Sequence, residues 1–438
     1  MNMMRIVQTF ICIAIIVSSC KQGNEKLIQE NKTTIQKDTS QWVSLMIAGY
    51  QKFNEEPTVA AADRILEATE LMPYKNLENY LVCAMVYAQL QENEKAFKAI
   101  ERAISEGFID SDLLNSIPEY ASLRDDARWV TLISQSNRQR SNYEESIQNK
   151  QLLEVLKNLW AEDQKALAQY EENAQKLDST ATNADYRELF IAVEKRWDIN
   201  KTKLDSIIAI HGWPGNTLVG KEGAKVAWGI PQHHPDVFFK EKCLSLLKQA
   251  LDKREVDPNH YAQLYDRIAR ETWQKQTFGT SMNGSTPFPI QDPAHVNRRR
   301  SEIGLNEPME VHAIYHGVPY ATPTTADIQL IHKNAQVQYT KFKNAIHAKK
   351  IDSANTYIAT AISAHGDISN EQLYHASTQL AQIDHTRSKR ICLNILKVLI
   401  WRKWEGRFKI LDQGEFNILH HKPQWEEIER LLKLSANT

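Results

Sequence analysis

The chain has 438 residues, enough for two or three domains, and its 42% hydrophobic content supports ordinary packed cores. Its Lys and Arg number 53 against 54 Asp and Glu, so the formal net charge of -1 offers no basic field for nucleic acid. After the first segment no apolar run is long enough to span a membrane, and Cys83, Cys243 and Cys392 are too few and too widely separated for a disulfide framework.

In chain order, Arg5 is a short basic start and Ile6–Val17 an apolar run of the length of a signal core. A spanning helix needs roughly twenty apolar residues, so this run is too short to cross a bilayer. It ends in Val17-Ser18-Ser19-Cys20, which resembles the lipobox of bacterial lipoproteins. That resemblance implies a signal peptide over 1–19 and lipidation of Cys20. It also implies a membrane partner through the N-terminal lipid. An ordinary signal peptide with a chance cysteine is the alternative. Residues 20–40 are polar and read as a flexible tether. Lys21 is not the Asp that marks inner-membrane retention, so an outer-membrane, lipid-anchored position in the cell envelope is expected, with the face left open.

Residues 41–135 show apolar positions at three- and four-residue spacing, the helical period. Tyr80, Ala84, Tyr87, Ala96, Ile100 and Ala103 fall where tetratricopeptide repeats place their consensus residues. Leu45, Gly49, Ala61, Ile65, Ala68 and Pro73 take the matching places of an earlier copy, with Lys52 as a misfit. This stretch resembles two degenerate tetratricopeptide units. Glu119-Tyr120, Leu123 and Trp129 recur with identical spacing as Glu415-Phe416, Leu419 and Trp425. The repeat implies a closing element that covers the exposed end of a hairpin stack, and hence a second helical module over 336–438.

Between them, Leu153, Leu156, Trp160, Leu167, Tyr170 and Leu177 form one stripe, and Tyr186, Phe190, Val193, Trp197, Leu204 and Ile208 another. They predict an antiparallel helical hairpin, its aromatics serving as core. It opens a central, mostly helical domain with irregular loops over 143–320. The fold class is therefore mainly α, with tetratricopeptide-like hairpins flanking that domain.

From His211 the texture changes to turns. His211-Gly212-Trp213-Pro214-Gly215, Gln232-His233, Asp266-Arg267, Gln276–Ser281, and Asp292-Pro293 with Val296, Arg299, Arg300, Gly304 and Leu305 occur in that order. In this, residues from about Tyr186 to Met309 resemble a widespread bacterial domain family of unknown function. Its motifs are a HGWPG-like turn, a Q-H pair, a D-R pair, a Q-x-Y-G-T-Q stretch and a D-P…V…R-R…G-L element. Phe278 stands for the usual Tyr and Ser281 for the usual Gln. The resemblance implies which residues go together, and no activity.

His211, Trp213, Gln232, His233, Asp266, Arg267, Thr280, Asp292, Arg299 and Arg300 are the candidate catalytic or ligand-binding residues. A His beside an Asp can shuttle protons, and two arginines can hold a carboxylate or phosphate. Each has a structural alternative. His211 and His233 can cap helices or lie satisfied in the core. Asp266 can sit in a buried ion pair with an Arg, and Asp292 can N-cap the helix that follows. Arg299 and Arg300 diverge by about 100° on a helix, so both are not expected to point inward. His312 and His316 have a chelating i, i+4 spacing, but no third ligand type completes a site, so no metal and no cofactor is expected.

The leading expectation is a membrane-anchored helical scaffold that binds a protein or another envelope component. The competing one is an envelope hydrolase or transferase acting on an anionic substrate through the central His, Asp and Arg residues. Whether the chain is an enzyme is left open by its sequence.

Overall fold

The computed structural model describes residues 35–177, 182–284, 286–363 and 367–436. Cys20 and the expected signal segment lie outside the described residues. The protein is mainly α, and the two short strands among the described residues form one ribbon, Met282–Asn283 against Thr286–Pro287. No helix among the described residues is long and apolar enough to cross a membrane. The chain divides into two compact units. The first holds the described residues up to Ile230, with Gln249–Pro258 and Ile303–Tyr320; the second holds Pro231–Lys248, Asn259–Glu302 and the described residues from Ala321 on.

The first described helix of the first unit, Ile35–Glu55, begins inside the stretch read as tether, which carries no proline to stop it. It packs on Val59–Leu71, that helix on Leu77–Gln89, and that one on Asn93–Ser105. The starts are encoded locally. Thr58 accepts from the amide of Ala61 and Asn76 from that of Glu78, each satisfying a first-turn donor. Small side chains let the helices approach: Ala61, Ala68, Ala84, Ala96 and Ala103 have no exposed surface. At Gly49 an added Cβ would lie 2.7 Å from Ile65 Cγ1. The misfit Lys52 is exposed and pairs with Glu55 at 3.3 Å. Met309–Tyr315 lies against the first helix, with the Tyr315 and Tyr50 rings 4.7 Å apart.

The hairpin Lys150–Gln175 with Asn183–His211 forms as its two stripes predict. Tyr170, Phe190 and Trp197 stack edge to face along it, and Asn200 Nδ2 donates to buried Asp163 Oδ1 at 3.0 Å.

In the second unit Thr325–His347 packs on Ile351–Ile362, and Asn370–Ala381 on Thr386–Trp401. Ala354, Ile358 and Ala361 repeat the spacing of Ala96, Ile100 and Ala103, and all six are fully buried. Among the described residues Cys83, Cys243 and Cys392 are buried and form no disulfide, as small core residues should be.

The paired aromatic elements have the same construction in both units. Short 3-10 helices, Pro118–Leu123 and Gly414–Leu419, carry Tyr120 and Phe416 to full burial against Trp129 and Trp425, with ring centroids 5.8 and 6.3 Å apart. The match extends upstream at constant displacement. Phe108 N donates to Ala103 O and Trp404 N to Leu399 O, at 2.9 and 3.1 Å. Left-handed Gly107 and Lys403 end the preceding helices. Leu114 and Ile410 fill equivalent core positions.

Candidate functional site

Asp266, the Gln276–Ser281 stretch, Arg299 and Arg300 meet around one irregular loop, 276–291, beside the helix Pro258–Glu271. That loop has little regular secondary structure, so its buried backbone groups need other partners. Asp266 supplies them for the amides. Its side chain is fully buried and accepts from Thr277 N at 2.7 Å, Phe278 N at 3.0 Å, Thr280 N at 2.9 Å and Thr280 Oγ1 at 2.9 Å. Burial pushes its carboxyl up, and these donors oppose the shift. Gln276 acts as a further stretch of backbone: its Nε2 donates to Ser281 O and Phe288 O, and its Oε1 accepts from Ser281 N.

The arginines serve the carbonyls. Arg300, 1% exposed, donates from Nη1 to Phe278 O at 2.8 Å. Arg299 donates from Nε to Thr277 O at 3.0 Å and from Nη1 to Asp292 O at 3.1 Å, and its Nη2 reaches Gln291 O. The expected divergence of these neighbours on their helix, Val296–Glu302, therefore does not leave one of them idle. The loop is long enough to offer carbonyls to both.

Two other expectations are corrected. Asp266 is not held in an ion pair with Arg267; the latter's Nε bonds Glu271 Oε1 at 2.9 Å, one turn along the same helix. Asp292 takes the position before the 3-10 helix Pro293–His295 but makes no side-chain cap. Its carboxylate faces His295 Nδ1 at 2.9 Å, and its backbone is left-handed with φ 44°. Phe278 turns its ring into an aromatic cluster 6.0 Å from Tyr261 and 5.4 Å from Tyr265.

Gln232 is buried and His233 partly buried at the end of the helix Asn216–His233. Beyond them lies a group that the sequence reading missed. His234 Nδ1 accepts from Asp236 N at 3.0 Å, which puts the ring proton of the neutral form on Nε2. Asp236 Oδ1 accepts from Phe238 N at 3.0 Å and Phe239 N at 3.3 Å, capping Val237–Asp252. Lys240, 1% exposed, bonds Glu271, and burial pulls its ammonium below the usual lysine range. Glu271 thus joins Lys240 and Arg267. The legible signal was an Asp directly before an amphipathic helix; nothing local marks Lys240.

His211 and Trp213 belong to the first unit. His211 is exposed in the last helical turn before Gly212, whose φ of 71° ends the helix. Trp213 is half-buried, with Nε1 lacking a hydrogen-bond partner. The turn is fixed by Glu255: its carboxylate accepts from Thr217 N at 2.8 Å and Thr217 Oγ1 at 2.6 Å, and its carbonyl from Asn216 N at 2.7 Å. A Cβ on Gly215 would lie 2.9 Å from that carbonyl, which explains the glycine. The His312 and His316 rings are 5.1 Å apart, and burial lowers the pKa of His316. Among the described residues no three His, Cys, Asp or Glu side chains are grouped to hold a metal.

No curated protein and no solved structure matches the chain. Residues 162–316, which contain every one of these motifs, match a family of unknown function, DUF6624.

Proposed function

We propose that the protein is a scaffold of the bacterial cell envelope, tethered to the outer membrane by lipid on Cys20. In this reading degenerate tetratricopeptide-like modules at 41–135 and 336–438 flank the central domain, and the molecule binds a protein or another envelope component. One observation carries it: Asp266, Thr280, Arg299 and Arg300 all hold the loop 276–291 in shape. Groups committed to backbone partners are poor candidates for catalysis, which needs groups available to substrate. Stacked hairpins add a surface suited to binding.

The test has two arms. Labelling with a fatty-acid analogue should mark the wild-type chain and leave Cys20→Ser unmarked; equal label on both ends the lipid reading. Affinity capture from the native envelope should recover one reproducible partner with wild type and with His233→Ala alike. A partner lost only from His233→Ala would move binding to the central motifs.

An envelope hydrolase or transferase acting on an anionic substrate is the second reading. It is favoured by the buried Lys240 and by Arg267 and Arg270 on one helix, where burial lowers the pKa of Arg270.

A further inference from the structure

The two closing elements agree in backbone and core but differ in what they show to solvent. Where the first carries Asp112, Asn115 and Ser122, the second carries Phe408, Leu411 and Ile418, which are 43, 43 and 40% exposed. Charge changes with them. Residues 106–126 hold one basic side chain, Arg124, against six acidic ones; residues 402–422 hold five basic against three acidic, with exposed His420 and His421 beside them. Part of that basic set is engaged within the second unit. Arg402 donates to Thr272 O and Trp273 O, Arg407 to Ser435, and Lys403 pairs with Glu241 at 3.3 Å. Lys409 lies exposed between Phe408 and Leu411. Trp404, its ring tilted 4.8 Å from that of Tyr374, is half-buried.

The first unit acts as an internal control. The same backbone and the same buried positions are compatible with a polar, acidic exterior, so the fold does not require exposed Phe, Leu and Ile at these places. Three exposed apolar side chains in a segment with five basic and three acidic residues, among them exposed Lys409, match the chemistry of an anionic lipid interface. Short apolar side chains enter the acyl boundary while cations meet the headgroups. We propose that residues 402–422 form a bilayer-contacting surface selective for anionic lipid. This surface would hold the second unit against the membrane independently of any acyl chain at the N-terminus. The proposal rests on the envelope location given above, and its test leaves Cys20 out.

The probe is the chain from residue 20 carrying Cys20→Ser, mixed with phosphatidylglycerol-containing or pure phosphatidylcholine vesicles. Sedimentation should show binding to the former that weakens with added salt, and little binding to the latter. The triple variant Phe408→Asp, Leu411→Asn, Ile418→Ser places the first unit's residues at the matching positions and should bind about tenfold more weakly. Its helical circular dichroism should be unchanged. The single variant Lys409→Glu, a surface change that tests the idea even if the triple variant misfolds, should reduce the phosphatidylglycerol preference. Absence of vesicle binding by the parent overturns the proposal wherever the acylated protein resides. So does equal binding by parent, triple variant and Lys409→Glu. A parent that self-associates through this patch and ignores vesicles would assign it to a second copy and likewise overturn the lipid surface.

Discussion

Asp266 shows how a single carboxylate can replace a strand partner. Its two oxygens accept three backbone amides and one hydroxyl from a loop whose first donor, Thr277, lies eleven residues later in the chain. Asp266→Ala would leave those buried donors unmet, at a cost of about 3 kcal/mol. Urea unfolding should register that loss in the second unit, and limited proteolysis should find new cleavage within 276–291. An unchanged urea midpoint with an intact loop would contradict the role given to Asp266. This function was not legible in the sequence. The side chain was identifiable as a motif member, but its partners are peptide amides, which leave no residue-type signature. The same holds for Arg299 and Arg300, whose acceptors are carbonyls. The sequence showed which residues belong together; it could not show that their common target is the main chain.

At the scale of elements, the sequence was more informative, because helical periodicity and caps are local. The stripes from Leu153 to Ile208 predicted the hairpin that forms, and the spacing shared by Tyr120, Leu123 and Trp129 with Phe416, Leu419 and Trp425 marked two elements of one design. What periodicity could not reveal was the upstream extent of that correspondence. It lies in helix-end hydrogen bonds and in buried positions filled by different apolar residues, such as Leu114 and Ile410. The tryptophans should be worth similar amounts. Trp129→Ala and Trp425→Ala each remove a large buried ring and should destabilise their own unit by about 3–5 kcal/mol. Hydrogen exchange would locate the damage: faster exchange in Leu77–Gln89 for the first variant, and in Thr386–Trp401 for the second. Exchange accelerated equally in both helices by either variant would refute the assignment of each ring to its own unit.

For the whole molecule, the free thiols provide a readout of the two units. Cys83 lies in the first, Cys243 and Cys392 in the second, and none has exposed surface. Burial pushes the Cys83 and Cys392 thiols up, away from the reactive thiolate. In the chain from residue 20 carrying Cys20→Ser, a thiol reagent should therefore label nothing in the folded protein. In rising urea, label should reach Cys83 on one side and Cys243 with Cys392 on the other, each with its unit's transition. Prompt labelling of Cys392 under native conditions would show that its helix opens locally. The unit boundary falls between Ile230 and Pro231, where the sequence shows the apolar run giving way to the break Pro231–Asp236, but a break of turn residues does not by itself tell a change of unit from a loop within one.

The aromatic closures also limit how such a protein can grow. A stack of hairpins lengthens when a new pair finds an open, greasy face at the end of the last one. Tyr120 with Trp129, and Phe416 with Trp425, already occupy that face. A hairpin grafted after residue 435 would find that face filled, whereas one inserted before Pro118 or Gly414 would keep the aromatic pair beyond it.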